Sequence, residues 1–409
     1  MSYPILVIGV GGEGPASLSE AARQRIAQAD QLWGSERLLA FWADHPAPKT
    51  VIKASLSTLV ERLRARGEQR VVILASGDPG FYGIAGTLLR YLPADELEIV
   101  PHVSSLQLAF ARAGLEWSDA ILTSAHARPL AELVGWARRA AKLGILTDPT
   151  RTPALLARTL LNAGLEDCRA IVVENLGLPE ERLIDSRLSK LTNGQFAPLN
   201  VMLLVRGADW RPRPTYTLRS DEAYAHRRGL ITKTEIRALS LAALALAETD
   251  VAWDIGAGSG ALSIEMAELA WRGQVYAVEC DAESLAHLHQ NVQKFGTLNV
   301  AIVEGRAPEA LEELPPPQAV FVGGTGGEMA AILNHIARAA RPGCRVVLNL
   351  ATLERVSQGL QLMHALGWSP QLTQVNIAHG QALAGLGLTR LSPLNPVFIL
   401  VGTLPRGDG

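Results

Sequence analysis

Short aliphatic runs alternate with helical patterns over the first half of the chain. Most of these runs are continuously apolar rather than alternating, which is typical of strands covered on both faces of a sheet. Strand–helix alternation of this kind predicts an α/β domain with a largely parallel sheet. Up to residue 206 the strands are expected at YPILVIGV, VVILA, DAILTSA, LGILT, AIVVEN and NVMLLV.

The alternation stops at residues 207–228 and then restarts. This stretch carries prolines, aromatic residues and arginines, which indicates a linker. Beyond it, a helix from Thr234 leads to strands at VAWDI, QVYAVEC, NVAIVE, QAVFVGG and CRVVLNL, and the tail segments SPQLTQVNIAHG and NPVFILVGTL are typical of two antiparallel strands. We therefore expect one domain over residues 1–206 and a second over residues 229–409.

Length and composition fit two well-buried domains. The chain has 409 residues, of which 48% are hydrophobic and 19% charged. The net charge of −2 does not support bulk attraction to nucleic acid. Three widely spaced cysteines argue against a disulfide framework or a zinc site and favour a cytoplasmic location. The first ten residues lack the features of a signal peptide, and the apolar stretch ALSLAALALA is too short to cross a membrane.

The segment DIGAGSG places Gly256, Gly258 and Gly260 between a predicted strand and a predicted helix. Glycines at such a turn permit a tight bend and the close approach of a ligand to backbone N–H groups. Asp254 stands at the end of the strand, where its carboxylate can receive a cationic ligand. A structural turn and a nicotinamide site are the alternatives, although the Gly-x-Gly-x-x-Gly spacing of dinucleotide sites is missing.

The next two strands sharpen this interpretation. Glu279 closes the second strand, about where an acidic residue binds ribose hydroxyls, and the third strand ends in residues 304–307, where an adenine would lie. These positions could bind an amino-acid group, a ribose and an adenine, and none of them suits a pyrophosphate. This combination favours S-adenosylmethionine. Five βα units closed by an antiparallel strand pair also form the layout of a Rossmann-like methyltransferase.

Several segments of the second half resemble the decarboxylating precorrin methyltransferases of cobalamin biosynthesis. They are GLITKTEIRAL, DIGAGSGALSIEMA, EGRAPEAL, VFVGGTGGEM and VNIAHGQAL, and the resemblance runs from about Arg228 to the end of the chain. It implies methylation of carbon 15 and loss of the carboxyl group of the ring C acetate. It also implies a set of cofactor and substrate contacts. Those to the cofactor are Thr232, Asp254, Gly256, Ala257, Gly258, Ser259, Gly260, Glu279, Arg306 and Ala307, and those to the substrate include Gly323, Gly324, Thr325 and Asn376.

Arg306 departs from this family's pattern. Relatives often have Gly-Asp-Ala where this chain has Gly305-Arg306-Ala307. The side-chain acceptor for the adenine amino group is therefore missing there, unless Glu304 or a backbone carbonyl replaces it.

The first half resembles the tetrapyrrole methylases, which bind the same cofactor on an unrelated, two-lobed α/β fold. The resemblance covers residues 3–206 and rests on segments LWGSERLL, SGDPGFYG and HVSSLQLAFARAGL, together with Pro198-Leu199-Asn200-Val201. It implies methylation of carbon 5 and a second cofactor site at Gly9, Gly11, Gly77, Asp78, Pro79, Ser104 and Ser105. His102 stands where relatives often have glycine, which could alter the loop beside Ser104. The alternative for Asp78 is a plain turn in which its carboxylate bonds its own backbone.

A small set of charged residues could serve the substrate. Arg227, Arg228, Lys233 and Arg237 precede the second glycine turn and could pair with carboxylates, although a solvated linker face is an equally good interpretation. His379 could donate a proton or contact an acid chain, or could be a surface histidine. The candidates for a catalytic role are thus Asp78, Lys233 and His379, and no metal site is expected.

Taken together, these patterns predict a bifunctional enzyme with two S-adenosylmethionine sites per chain. The resemblance implies conversion of precorrin-6B to precorrin-8, and it implies a homo-oligomer, without nucleic-acid or membrane partners. The alternatives are a methyltransferase of another tetrapyrrole, RNA or protein, a nicotinamide oxidoreductase, and a tetrapyrrole carrier with one inactive site.

Overall fold

The computed structural model describes residues 3–52, 56–126, 128–212, 218–227, 229–383 and 387–405. The chain divides into two compact units. The first comprises Met1–Pro129, Arg139–Leu161 and Glu166–Pro212, and the second comprises Leu130–Arg138, Asn162–Leu165 and Arg213–Gly409. Most of the predicted linker region beyond Pro212 therefore groups with the second unit.

Residues 1–206 contain strands β1–β10 and helices α1–α8. The strands are Ile5–Val10, Gln31–Gly34, Lys49–Val51, Val71–Ser76, Leu97–Val100, Ala120–Ser124, Lys142–Leu146, Arg169–Glu174, Arg182–Arg187 and Asn200–Val205. The helices are Glu20–Ala27, Glu36–Ala40, Leu56–Arg64, Ile84–Leu88, Ser105–Arg112, Leu130–Arg139, Pro153–Asn162 and Leu188–Leu191.

The strands of the first unit form two separate five-stranded sheets. The first has the order β3-β2-β4-β1-β5, and all its pairings are parallel. The second has the order β6-β7-β10-β8-β9, and only the β6–β7 pairing is parallel. The two-lobed α/β fold is thus confirmed, whereas the expectation of a largely parallel sheet holds for the first lobe alone.

The continuous apolar runs are explained by cores on both faces of the first sheet. In β1, Leu6, Ile8 and Val10 pack into one buried cluster, while Ile5 and Val7 pack into another. Successive side chains of a strand point to opposite faces, so a strand covered on both sides needs apolar residues at every position.

Residues 218–405 contain helices α9–α13 and strands β11–β19. The helices are Thr234–Leu244, Ala261–Leu269, Ala282–Phe295, Met329–Ala339 and Leu353–Ala365. The strands are Val251–Ile255, Gln274–Glu279, Val300–Glu304, Ala319–Val322, Arg345–Leu350, Gln371–Val375, Ala378–Leu383, Leu388–Pro393 and Val397–Thr403.

Seven of these strands form one sheet with the order β13-β12-β11-β14-β15-β19-β16. The first five are parallel, and β19 runs antiparallel to both β15 and β16. This arrangement confirms the Rossmann-like fold with its terminal antiparallel pair. The two strands β17 and β18 form a separate hairpin that the sequence analysis did not foresee. The strand order reverses between β11 and β14, and ligands of open α/β sheets bind at such a switch point.

A buried polar network ties residues 219–227 to helices α9 and α10. The Arg237 side chain is fully buried, and its Nε donates to Oε1 of Glu265 at 3.1 Å, while Nη1 donates to Oδ1 of Asp221 at 2.8 Å. Tyr224 donates its hydroxyl hydrogen to the same Glu265 oxygen at 2.8 Å. Arg219 makes a two-pronged ion pair with Glu268 on α10. These contacts fix the path of the segment that leads into the seven-stranded sheet.

Removing Arg237 should therefore destabilise the second unit. We expect Arg237→Met to lower the free energy of unfolding by about 3–5 kcal/mol, because the buried Glu265 carboxylate loses its counter-charge. Urea unfolding followed by circular dichroism measures the effect, and Arg338→Met, at an exposed position of α12, is the matched control. The double variant Arg237→Met with Glu265→Met should recover much of the loss. A single variant as stable as the control would contradict this role.

Candidate functional site

A cavity of about 530 Å³ lies at the switch point of the seven-stranded sheet. Its volume is in the range of small-molecule sites. Its walls come from three sources: the segment before α9, the glycine turn after β11, and the carboxyl ends of β14 and β15. The lining residues are Gly229, Leu230, Ile231, Thr232, Lys233, Ile236, Asp254, Gly256, Ala257, Gly258, Ser259, Ala261, Leu262, Phe321, Gly323, Asn349, Leu350, Ala351 and Val397.

The glycine turn shapes this cavity by close backbone approach. Gly256, Gly258 and Gly260 all have positive φ angles, of 71°, 56° and 75°. A Cβ on Gly256 would lie 2.8 Å from the backbone nitrogen of Gly324. Gly260 itself packs beneath the turn, where a Cβ would lie 2.1 Å from Cδ1 of Leu288. Only glycine fits these positions without strain or displacement.

Several N–H groups of the turn are already used within the protein. Gly256 and Ala257 both donate to the carbonyl of Val278, at 2.9 and 3.0 Å, and Gly258 donates to Oε2 of Glu279 at 2.7 Å. The turn therefore differs from a phosphate-binding loop, whose N–H groups point at the ligand. Polar recognition in this cavity has to come largely from side chains.

Asp254 and Ser259 supply two such side chains. Both residues are buried and line the cavity, and Oδ1 of Asp254 and Oγ of Ser259 have no hydrogen-bond partner. The other Asp254 oxygen accepts a hydrogen bond from Ser263. Burial, together with the negative charge of Glu279, raises the pKa of Asp254 from 3.8 to about 7, against the opposing effect of that hydrogen bond. A cationic or hydroxyl-bearing ligand would satisfy both orphaned atoms.

Glu279 stands beside the cavity and holds the turn in place. Besides the bond from Gly258, its Oε1 accepts hydrogen bonds from the backbone nitrogens of Cys280 and Asp281, both at 2.8 Å. The carboxylate predicted to bind ribose hydroxyls is therefore also an organiser of the glycine turn.

The remaining predicted contacts spread around the cavity. Thr232 and Gly323 line it. The described residues that line the cavity do not include Gly324, Thr325, Asn376, Arg306 or Ala307. Arg306 is exposed, and Ala307 is buried in the adjoining core.

The predicted cationic residues have different surroundings. Lys233 lines the cavity, and its Nζ donates to Oδ2 of Asp221 at 3.0 Å. Arg227 lies 3.3 Å from a carboxylate oxygen of Glu283, at an exposed position. Arg237 is fully enclosed in its network, so it cannot pair with a substrate. Arg228 lies outside the described residues.

His379 lies on the β17–β18 hairpin and contacts helix α9. Its Nε2 is 2.9 Å from Oε1 of Glu235, in the first turn of the helix. Both side chains are about half exposed. Glu235 is two residues after the cavity-lining Lys233, and neither member of the pair is among the residues that line the cavity. A role of His379 in proton transfer stays a prediction.

A second cavity, of about 320 Å³, lies within the first unit. The described residues that line it come from both lobes and lie mostly in loops at strand ends. They are Val10, Gly11, Gly12, Arg37, Ser76, Gly77, Asp78, Phe81, Tyr82, Gly83, Val103, Ser104, Ser105, Leu108, Ser124, His126, Leu146, Thr147, Val173, Asn175, Leu176, Leu178, Pro198, Leu199, Asn200 and Val201.

Gly9, the next-to-last residue of β1, and Gly11, just after the strand, allow neighbouring segments to approach closely beside this cavity. A Cβ on Gly9 would lie 2.3 Å from the carbonyl oxygen of Gly77, and one on Gly11 would lie 2.8 Å from the ring of His102. The His102 ring lies in the space that these glycines leave, and its Nε2 is 3.0 Å from the carbonyl oxygen of Ser17. The departure at His102 is thus accommodated by packing on the β1 loop.

Asp78 combines the two roles considered for it. Its Oδ1 accepts a hydrogen bond from the Gly80 nitrogen at 2.8 Å, which closes a local turn, and the residue also lines the cavity. Gly77 has a φ of 62° and donates to the carbonyl of Val10 at 2.9 Å. Pro79 is buried behind the loop, where a Cβ on Gly83 would meet its carbonyl oxygen at 2.4 Å.

Ser104 is both a cavity residue and the N-cap of helix α5. Its Oγ accepts from the Gln107 nitrogen at 3.2 Å, and its own nitrogen donates to Oε1 of Gln107 at 2.8 Å. This capping box fixes the start of the helix and places Ser105 at the cavity.

Sequence reasoning missed some residues of both cavities. Arg37 and His126 line the first-unit cavity, and Asn349 and Phe321 line the other. Asn349 and Phe321 lie in predicted strands whose carboxyl ends face the switch point, so strand position was a usable signal for them. The segment LWGSERLL was noted as a motif, but nothing in its spacing singled out Arg37.

None of the helices in the described residues combines the length and apolarity needed to cross a membrane. No group of three or more histidine, cysteine or acidic side chains in the described ranges is arranged to hold a metal ion.

Comparison with known proteins identifies both halves. The family model described as tetrapyrrole (corrin/porphyrin) methylases matches residues 4–192, and the one described as the precorrin methyltransferase domain matches residues 222–403. The two halves of the chain thus resemble two different families of methyltransferase domain.

The full-length relatives are more specific. A Sinorhizobium protein named precorrin-6Y C(5,15)-methyltransferase (decarboxylating) is 35% identical over 396 residues, which are 96% of this chain and 94% of that protein. The chain belongs to the family of these decarboxylating C5,15-methyltransferases.

Shorter relatives match about half of the chain each. A Pyrobaculum calidifontis protein named as a probable cobalt-precorrin-6B C(15)-methyltransferase (decarboxylating) is 36% identical over 44% of this chain and 92% of its own length. A Salmonella typhimurium protein named cobalt-precorrin-7 C(5)-methyltransferase is 32% identical over 44% of this chain and 88% of its own length.

The raised pKa of Asp254 predicts a pH-dependent stability. The folded state holds the proton more tightly than the unfolded state, so this group stabilises the fold fully below pH 3.8 and loses that contribution as the pH rises to about 7. The Asp254→Asn variant carries a neutral side chain at every pH, so its stability should not fall in this way. Between pH 4 and 7 the variant should therefore gain a few kcal/mol of unfolding free energy relative to the wild type.

Urea unfolding at several pH values measures this difference. Glu313→Gln, at an exposed position of the same unit, serves as the control and should follow the wild type. A constant gap between Asp254→Asn and the wild type across this range would show that Asp254 is ionised throughout.

Proposed function

We propose that this chain is a bifunctional S-adenosylmethionine-dependent C-methyltransferase of cobalamin biosynthesis. It methylates carbons 5 and 15 of precorrin-6B and removes the carboxyl group of the ring C acetate, which gives precorrin-8. The observation that carries this proposal is the match to a C(5,15)-methyltransferase over 96% of the chain. The presence of one cavity in each unit supports it.

The two reactions are assigned to different parts of the chain. Residues 1–206 methylate carbon 5, and residues 229–409 methylate carbon 15 and decarboxylate, with residues 207–228 as the linker. The relatives named for only one of these reactions support this division, because each covers 44% of the chain.

The second-unit cavity suits the cofactor chemically. S-adenosylmethionine, when bound, supplies an electrophilic methyl group on a cationic sulfur. The orphaned Oδ1 of Asp254 and Oγ of Ser259 would receive polar groups of such a ligand, and the glycine turn gives it close access. Glu279 is placed to accept hydrogen bonds next to the turn.

The first-unit cavity offers a different set of groups for the same ligand. Asp78 provides a carboxylate and negative potential, and Gly11, Gly77, Ser104 and Ser105 line the wall near it. Gly9 and Pro79 support this wall from behind.

Catalysis in both cavities rests on positioning rather than on a protein nucleophile. The carbons of the corrin precursor are electron-rich, so holding them aligned with the methyl donor supplies much of the rate enhancement. The conjugated ring can accept the electron pair left by decarboxylation. Lys233, which lines the second cavity, would pair with a substrate carboxylate, and Arg227, an exposed residue near Glu283, is a further candidate for such a pair.

We also propose that the chain forms a homo-oligomer. The β17–β18 hairpin supports this, since Leu388 and Leu391 on it are 61% and 72% exposed. A lone two-stranded hairpin with an apolar surface is only marginally stable in water. The cytoplasmic location stays a prediction from the cysteine spacing.

Product mass tests the reaction directly. Incubation of the full chain with the reduced precorrin and S-adenosylmethionine should add two methyl groups and remove one carbon dioxide. Asp78→Asn and Asp254→Asn should each suppress one methylation by at least tenfold, because each alters one cavity. Asp95→Asn, at an exposed position, is the control. Methyl gain without loss of carbon dioxide would refute the decarboxylase assignment.

Cofactor stoichiometry tests the two-site assignment. Isothermal titration of the full chain with S-adenosylmethionine should give two sites per chain, and Asp254→Asn should weaken only one of them. The expected cause is the lost negative charge beside a cationic ligand. A single site in the wild-type chain would reduce one unit to a carrier or scaffold.

A further inference from the structure

Arg37 lies at the ligand-binding edge of the first sheet. It belongs to the short helix α2, which follows β2 directly and begins after the N-cap Ser35. Because β2 and β4 are adjacent and parallel, the residues that follow them reach the same edge. The Nη2 atom of Arg37 donates to Oγ of Ser76, the last residue of β4, at 3.0 Å. This contact holds the guanidinium at the wall of the first-unit cavity.

The positive charge of Arg37 has no counter-charge among the described residues. Its contact to the Ser76 hydroxyl is its one hydrogen bond there. Other arginines of this unit behave differently: Arg112 contacts Glu181, and Arg169 makes a two-pronged pair with Asp185 at 2.7–3.2 Å. Arg37 is nevertheless partly buried, and this burial lowers the pKa of its guanidinium. A partly desolvated cation without an anion is unfavourable unless a ligand supplies one.

Two acidic residues in this region, Asp78 and Asp148, form their hydrogen bonds with groups other than Arg37 among the described residues. Asp78 uses one carboxylate oxygen for its own turn, at the Gly80 nitrogen. Asp148 accepts hydrogen bonds from Thr150 and Arg151 and lies 3.2 Å from the His126 ring. A guanidinium has five N–H donors in a planar fork, so Arg37 keeps most of its donors for a bound group.

We propose that Arg37 forms a carboxylate-binding subsite in the first-unit cavity. This inference rests on the proposed function, and it adds a recognition element for the ligands of that cavity. A guanidinium binds a carboxylate through two parallel hydrogen bonds, which fixes the orientation of the bound group as well as its position. Two ligands of the proposed reaction carry this group: the tetrapyrrole, through its acid side chains, and the methyl donor, through its amino-acid end.

A purely structural role fits the contacts of Arg37 poorly. Arg237, the structural arginine of the second unit, is enclosed and binds two carboxylates. Arg37 instead borders a cavity and donates to a single neutral hydroxyl, a contact that does not require a positive charge.

The test uses the full chain and three variants. Arg37→Gln removes the charge, Arg37→Lys keeps the charge without the planar fork, and Arg90→Gln removes a charge at an exposed position beyond α4. The measurements are the KM of the reduced precorrin in carbon 5 methylation and the dissociation constants of S-adenosylmethionine at both sites. Carbon 15 methylation by the same chain reports on the integrity of each preparation.

We expect at least a tenfold loss in one of these quantities for Arg37→Gln, an intermediate loss for Arg37→Lys, and none for Arg90→Gln. A raised KM for the precorrin with unchanged cofactor binding identifies the substrate carboxylate as the ligand. A weakened cofactor site identifies the carboxylate of the methyl donor.

Two outcomes would overturn the subsite. In one, Arg37→Gln matches the wild type in both quantities; in the other, Arg90→Gln is as impaired as Arg37→Gln, so that the loss is a general effect of net charge. If Arg37→Gln does not fold, Arg37→Lys decides alone, since an unchanged KM and cofactor affinity in that variant would refute a forked carboxylate contact. Failure of the wild-type chain to methylate carbon 5 would instead refute the proposed function.

Discussion

The second catalytic unit depends on a buried ion pair between Arg237 and Glu265. Isolated buried charges are strongly unfavourable, and this pair persists because hydrogen bonds from Tyr224 and to Asp221 satisfy the remaining polar atoms. The network holds residues 219–227 against α9 and α10. Residues 229–233, which precede α9, form one wall of the cavity. A few contacts in the protein interior thus determine the position of an arginine-rich segment that the sequence pattern indicates only as a linker.

The cavities of both units depend on the same structural feature, the close approach of several loops at one edge of a sheet. Parallel strands bring several loops to one edge, and glycines let these loops approach to distances that a Cβ would forbid, as at Gly9 against Gly77 and at Gly256 against Gly324. The backbone N–H groups at these turns bond mainly to acceptors at the ends of neighbouring strands. On the proposed function, side chains such as Asp254 in one unit and Asp78 in the other would recognise the ligand. The two folds are unrelated, and the shared constraint is the need for a narrow, polar pocket.

The sequence predicted the long buried strands and the glycine turns because both leave local patterns. It missed β2, β3 and β5, which are only three or four residues long, and the exposed β9, in which polar residues break up the apolar run. It also treated Arg237 as a free charge, since its partner Glu265 is 28 residues away. Arg37 was missed for the same reason, because Ser76 and the cavity come near it only in the folded chain. Contacts between distant residues leave no periodic signal.

The distribution of these contacts bears on why the two activities share one chain. Each cavity is lined by residues of its own unit, and each has its own sheet and buried core. Neither site therefore needs the other for its construction, in agreement with relatives that span only one half. The advantage of fusion must then lie outside the geometry of each site. A tether raises the effective concentration of one site near the product of the other, which would favour capture of an unstable intermediate without any added contact.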